Sequence, residues 1–173
     1  MITRSLFHPL DDVADITRPR LEFVAPGSWI FRIPREVRSL NATMWGHWRN
    51  AQREREGWEH ELAGAIAAYV VLRGLDGWRP GERVAQQQLV GRREYRRVQV
   101  LRLIPSARHR LDPGNRRACD KHLVDAMKRV GLITNDNAKW LEHGEPLEMV
   151  APDGKFWTVI QLDRPDVRAA WRS

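Results

Sequence analysis

Hydrophobic positions in this chain fall into blocks whose spacing alternates between the periods of strand and helix. Ser28-Trp-Ile-Phe-Arg-Ile-Pro34 is dense in β-branched and aromatic residues and stops at proline, which predicts a strand. From Ala51 to about Arg73 the period becomes helical: Trp58, Leu62, Ala65, Ile66 and Tyr69 share one face, and QREREGWEHE forms a charged outer surface. After a turn cluster at Gly74 to Arg83, two strand-like segments follow, Val84 to Val90 and Arg97 to Ile104, with Gly91-Arg-Arg-Glu94 as a hairpin connection. Val98, Val100, Leu101 and Leu103 make the second segment a strongly apolar strand, expected to be central in the sheet. Leu147 to Ala151 and Lys155 to Leu162 flank Pro152-Asp153-Gly154, a hairpin signal, with Trp157, Val159 and Ile160 available to the sheet.

Between these blocks lies Arg108 to Trp140, RHRLDPGNRRACDKHLVDAMKRVGLITNDNAKW. Cys119, Leu123, Ala126, Met127 and Val130 line one helical face, while Lys121, Asp125 and Lys128 fall on the other. The helix should end at Gly131, and an acidic spot, Asn135-Asp136-Asn137, follows. The element order β-α-(β)-β-α-β-β predicts an α/β (α+β) fold: a single mixed β-sheet with two main helices packed on it. Residues 1–27, broken by Pro9, Pro19 and Pro26, are expected to form an N-terminal extension to a domain spanning 28–173.

Composition narrows the partners. Twenty-nine Lys and Arg against 22 Asp and Glu give a net charge of +7, which favours a polyanion because basic side chains displace counterions condensed on nucleic acid. The bland alternative is a merely soluble basic protein. The single cysteine, Cys119, lies on the apolar helix face and reads as a core thiol; one cysteine fits a reducing compartment. No apolar run approaches a membrane span and no signal peptide is evident, so a cytoplasmic protein without a membrane partner is expected. The loop before the first helix carries Arg35, Arg38, Asn41, Trp45, His47, Trp48 and Arg49. Such residues stack on bases and hold phosphates, or are core tryptophans beside solvated charges.

Hydrolysis of a phosphodiester needs a polarised phosphorus, an activated water and a stabilised leaving oxygen. Two or three carboxylates from different elements suffice to hold Mg2+, which keeps several of its waters. Asp112 at a strand end and Asp136 after a helix are candidates for this role, and Lys121 is a candidate to hold the scissile phosphate. Each has a structural reading too: Asp112 before Pro113 suits a helix N-cap, and Asp125 suits an i,i+4 partner of Lys121. The chain has no P-loop, no GxGxxG and no HExxH, which argues against nucleotide-dependent and zinc-protease chemistry.

The stretch resembles the RusA family of Holliday junction resolvases. That family has an Asp-x-Asp-Asn segment leading into a helix with Lys and Asp-Ala-Leu, then Ala-Gly and a closing Asp-Asp. The matching residues here are Asp112-Pro-Gly-Asn115, Lys121, Asp125-Ala-Met127, Val130-Gly131 and Asn135-Asp136. Upstream, Ile33-Pro34, Asn41 and the Trp58 helix are similar to the family's opening strand, loop and first helix. The resemblance follows element order over residues 29–162 and is specific over 112–136.

It implies a homodimeric, Mg2+-dependent (or Mn2+-dependent) endonuclease that cuts four-way DNA junctions, often carried by phages or prophages. Asp112, Lys121 and Asp136 would be the catalytic set and Asp112, Asp136 and Asn115 the metal site. Asp120 and Asp125 would be supporting acids, and Arg108, Arg110, Arg116, Arg117 and Lys128 would hold the DNA backbone. Gly114 stands where the family's second metal-binding Asp is expected, Asn135 replaces the first acid of the closing pair, and three extra residues separate Asn115 from Lys121. These departures keep an alternative open, a catalytically degenerate relative that binds junctions without cutting them. An unrelated α/β enzyme acting on a small phosphorylated substrate is a third reading, with no cradle motif to support it.

Overall fold

A computed structural model describes residues 20–25, 28–38, 47–72 and 95–164. Nine consecutive extended residues, β3 (Arg96–Ile104), form the middle of a mixed sheet. Its alternation places Val98 and Val100 on one face and Leu101 and Leu103 on the other, and all four are buried. A strand apolar on both faces is stable only with cover on each side, and β3 takes the central place expected for it. On one side β6 (Trp157–Asp163) pairs with it antiparallel, and β2 (Ser28–Ile33) pairs with β6. On the other side two short strands pair with it in parallel, β4 (Leu141–His143) beside its first half and β5 (Leu147–Val150) beside its second.

The sheet is completed at β2 by β1 (Arg20–Ala25), antiparallel to it. This strand lies within the stretch read as an extension, so the sheet begins before residue 28. The predicted strand Val84 to Val90, its hairpin connection, Asn41, Trp45 and the tail from 165 lie outside the described residues.

The expected hairpin of residues 147–162 is corrected by the pairing. The turn forms: Gly154 has φ +66 and its N–H reaches the Ala151 carbonyl at 3.2 Å. The two strands nevertheless flank β3 instead of each other. A turn signal dictates that the chain reverses, but the apolar, two-faced β3 competes successfully for both ladders.

Helix α1 (His47–Leu72) packs Trp58, Leu62, Ala65 and Ile66 into the main core, and all four are essentially unexposed. The second helical stretch is divided at Asp120 into α2 (Pro113–Cys119) and α3 (Lys121–Arg129). The Cys119 thiol donates to the Arg116 carbonyl at 3.0 Å, while the Asp120 N–H goes to the Ala118 carbonyl instead of continuing the i→i−4 ladder. The predicted apolar face holds across the break: Cys119, Leu123, Ala126, Met127 and Val130 are all buried. Helix α3 closes on Gly131 at φ +83, with Leu132 N–H on the Met127 carbonyl and Gly131 N–H on that of Lys128. This is the left-handed stop that glycine permits at low cost. A second, smaller core of Leu101, Leu103, Ala151, Trp157 and Val159 fills the opposite face of the sheet. Among the described residues no helix is long and apolar enough to cross a membrane.

Candidate metal and nucleic-acid site

The chain leaves β3 through a short 3-10 turn, Ala107–His109, and enters α2 at Asp112. Asp112 caps the helix: its Oδ1 accepts the Asn115 backbone N–H at 2.9 Å, and its Oδ2 accepts from the Asn115 side-chain amide. Pro113 occupies the first helical position, where its missing N–H is not needed. These bonds favour the charged form, so the carboxyl is held below its ordinary range, the Asn115 backbone contact being the largest cause. Asp112, Pro113 and Gly114 are exposed. The result is an ionised, solvent-facing carboxylate with its amide partner at the head of a helix.

Asp136 lies beyond α3, just before β4. Its own backbone N–H is the first cause of a lowered pKa, followed by Lys128, whose Nζ is 3.3 Å from Oδ1. The charge of His143 acts in the same direction. Asn135, at the position of the missing acid, receives the Asp136 N–H on its Oδ1 at 2.8 Å and so shapes the turn.

The two acids thus draw on different neighbours. Asp112 adjoins the second half of β3: the N–H of Leu111 contacts Glu148 at 3.4 Å, and Glu148 pairs with Arg102. Asp136 is tied instead to the last turn of α3 through Lys128. Among the described residues no group of three or more His, Cys, Asp or Glu side chains is gathered where it would hold a metal ion.

The remaining predicted residues divide by burial. Lys121 is exposed in the first turn of α3. Asp125 is half-buried, and its charge acts on His122, one turn earlier. Asp120 is 8% exposed and accepts the Cys119 thiol at 3.4 Å, so it faces the interior and not the Asp112 surface. Burial raises its pKa to about 6 and pushes the Cys119 thiol up as well. Cys119 is accordingly the core thiol that its position predicted. Arg108 and Arg110 are exposed, and Arg116 is half-buried with Nη2 3.4 Å from the Leu111 carbonyl. Arg117 belongs to α2, and Lys128 is engaged with Asp136.

Trp45 lies outside the described residues, so the choice left open for the first loop is met at Trp48, which stands in the first turn of α1 and not in a loop. Trp58 is core, with the Arg35 guanidinium 5.1 Å from its ring centroid. Trp48 is 69% exposed, with Arg49 5.7 Å from its ring, the combination that stacks on bases and contacts phosphates. Gly57 permits the Arg35 arrangement, since a Cβ there would strike the guanidinium that also pairs with Glu54 at 3.1 Å.

Arg102 is the residue that sequence reasoning passed over. It is 4% exposed and carries two carboxylate partners, Glu36 and Glu148, each at 2.6 Å. The signal was an arginine set between Leu101 and Leu103 in the apolar half of β3. No protein-family model matches this chain, and no curated protein matches it in sequence.

Proposed function

We propose that this protein is a RusA-like, metal-dependent endonuclease that hydrolyses phosphodiesters at four-way DNA junctions. The observation that carries the reading is the Asp112–Asn115 pair, an ionised, exposed carboxylate and amide at a helix head, flanked by Arg108, Arg110 and Arg116 in a chain of charge +7. Hard oxygen donors of this kind suit Mg2+ or Mn2+, which need few protein ligands because they retain waters. Asp112 and Asn115 would hold the cation, with Asp136 as the second carboxylate. The cation would stabilise charge on the phosphoryl group and lower the pKa of a bound water. The chain itself supplies a pre-ionised carboxylate, arginines that hold the DNA backbone without reading its sequence, and Lys121 to meet negative charge on the leaving oxygen. A homodimer would match the two-fold symmetry of a four-way junction.

The test is cleavage of a synthetic four-way junction with Mg2+ or with EDTA, beside a linear duplex of the same sequence. Paired, metal-dependent nicks on the junction alone are expected. Tight junction binding without nicks under Mg2+ or Mn2+ would establish the second reading, a non-cutting junction binder. That reading is favoured by Gly114 at the position of an expected metal ligand. Gly114 is not in the left-handed region, and an added Cβ would lie 3.3 Å from Asp112 Oδ1. Gly114→Asp therefore fits with a small adjustment and should raise metal affinity and cutting if the glycine is what weakens the site.

A further inference from the structure

Arg102 spends its hydrogen bonds on two loops far apart in the chain. Its Nε donates to the Val37 carbonyl at 3.2 Å, and its Nη1 to the His109 carbonyl at 2.9 Å and to Glu148 Oε2. Its Nη2 donates to Glu36 Oε1. A buried guanidinium is tolerated only when its donors are met in this way. One planar group therefore holds both carbonyls, which lie within roughly 8 Å of each other.

The residues next to those carbonyls point to a use. Val37 is buried and is followed by exposed Arg38; His109 is half-buried between exposed Arg108 and Arg110. Glu36 and Glu148, the acids of the same neighbourhood, are committed to Arg102. Arg35 is committed to Glu54. Other contacts fix both loops: Thr158 Oγ1 donates to the Arg35 carbonyl at 2.6 Å, and the His109 ring meets Ser106 Oγ at 3.1 Å and the Phe156 ring edge-on. The Leu111 N–H on Glu148 ties the residue before Asp112 to the same cluster.

We infer that Arg102 assembles a phosphate-binding rim beside Asp112 in which Arg38, from the first loop, acts together with Arg108 and Arg110 on the DNA backbone. The inference rests on the nucleic-acid reading above and adds to it a binding residue, Arg38, and a positioning residue, Arg102. Fixing the backbone beside each exposed arginine lowers the entropy lost when a phosphate is bound.

The experiment is a titration of the full-length protein with a four-way DNA junction over a series of salt concentrations, without divalent metal. For Arg38→Gln the slope of log affinity against log salt should fall by about 0.9, so that about 3–4-fold less affinity is lost between 50 and 200 mM salt than in the wild type. Arg108→Gln and Arg110→Gln should do the same. Arg38→Lys should restore the wild-type slope, which a purely structural arginine would not allow. Arg129→Gln, whose arginine pairs with Glu59 on α1, should leave the slope unchanged. For the positioning role, Arg102→Lys keeps the charge but cannot reach all four acceptors. It should lower the slope by two to three contacts' worth while far-UV circular dichroism stays native. If that variant does not fold, the Arg38, Arg108 and Arg110 variants decide the matter alone. An unchanged slope for Arg38→Gln beside reduced slopes for the other two overturns the inference and leaves the DNA reading intact. A wild-type protein that does not bind, or binds with a flat salt response, overturns both.

Discussion

Asp120→Asn isolates the energetic cost of a buried carboxylate at the α2–α3 break. Asp120 is 8% exposed, and the Cys119 thiol, at 3.4 Å, is a weak donor. Its pKa rises from 3.8 to about 6 because burial disfavours the ion. The sign follows from proton counts. Between pH 4 and 6 the folded chain holds this proton while the unfolded chain has released it, so stability falls as pH rises through that window and is level above it. The shift corresponds to about 3 kcal/mol. An isosteric amide keeps an oxygen to accept the thiol and carries no charge to desolvate. The variant should therefore be more stable than the wild type by about 3 kcal/mol at pH 8, with the two converging at pH 4. For a chain of this size that is a rise in Tm of about 6–12 °C at pH 8. The assay is urea or thermal unfolding of both proteins at pH 4, 5, 6, 7 and 8. A variant that is destabilised equally at every pH would refute the reasoning, because it would show the ionised carboxylate to be stabilised by a partner that outweighs its burial.

Asp112→Asn should leave Tm within about 2 °C of the wild type, since asparagine caps helices as well as aspartate, while abolishing metal-dependent cleavage; Asp112→Ala should in addition lose about 1 kcal/mol in urea unfolding. Gly131→Ala should cost about 1–2 kcal/mol without altering junction affinity, because only the left-handed stop of α3 is strained. Trp48→Ala should leave stability unchanged, as an exposed side chain, and weaken binding to junction or single-stranded DNA by about 1–3 kcal/mol in a fluorescence titration. Glu148→Ala should cost about 3–5 kcal/mol, because it removes a buried carboxylate and leaves the Arg102 guanidinium under-paired.

Local pattern determined a good part of this protein. Trp58, Leu62, Ala65 and Ile66 at helical spacing defined α1, and Val98 to Leu103 defined a strand that had to be central, because burying both faces of a strand requires neighbours on both sides. The cap at Asp112, the stop at Gly131 and the buried placement of Cys119 were also legible, since each depends on residues within a few positions. Partnership across the chain was not. Pro152-Asp153-Gly154 announced a reversal, but which strand β5 and β6 would pair with depended on β3, remote in sequence. The break at Asp120, where the backbone N–H turns to the Ala118 carbonyl, was not legible either, since no proline or glycine marks it. Arg102 is the clearest case: its burial is tolerable only because Glu36, Val37, His109 and Glu148 arrive from three other segments. Short-range free energies are written in the sequence residue by residue, whereas the desolvation of a charge is settled only by what the finished fold brings to meet it.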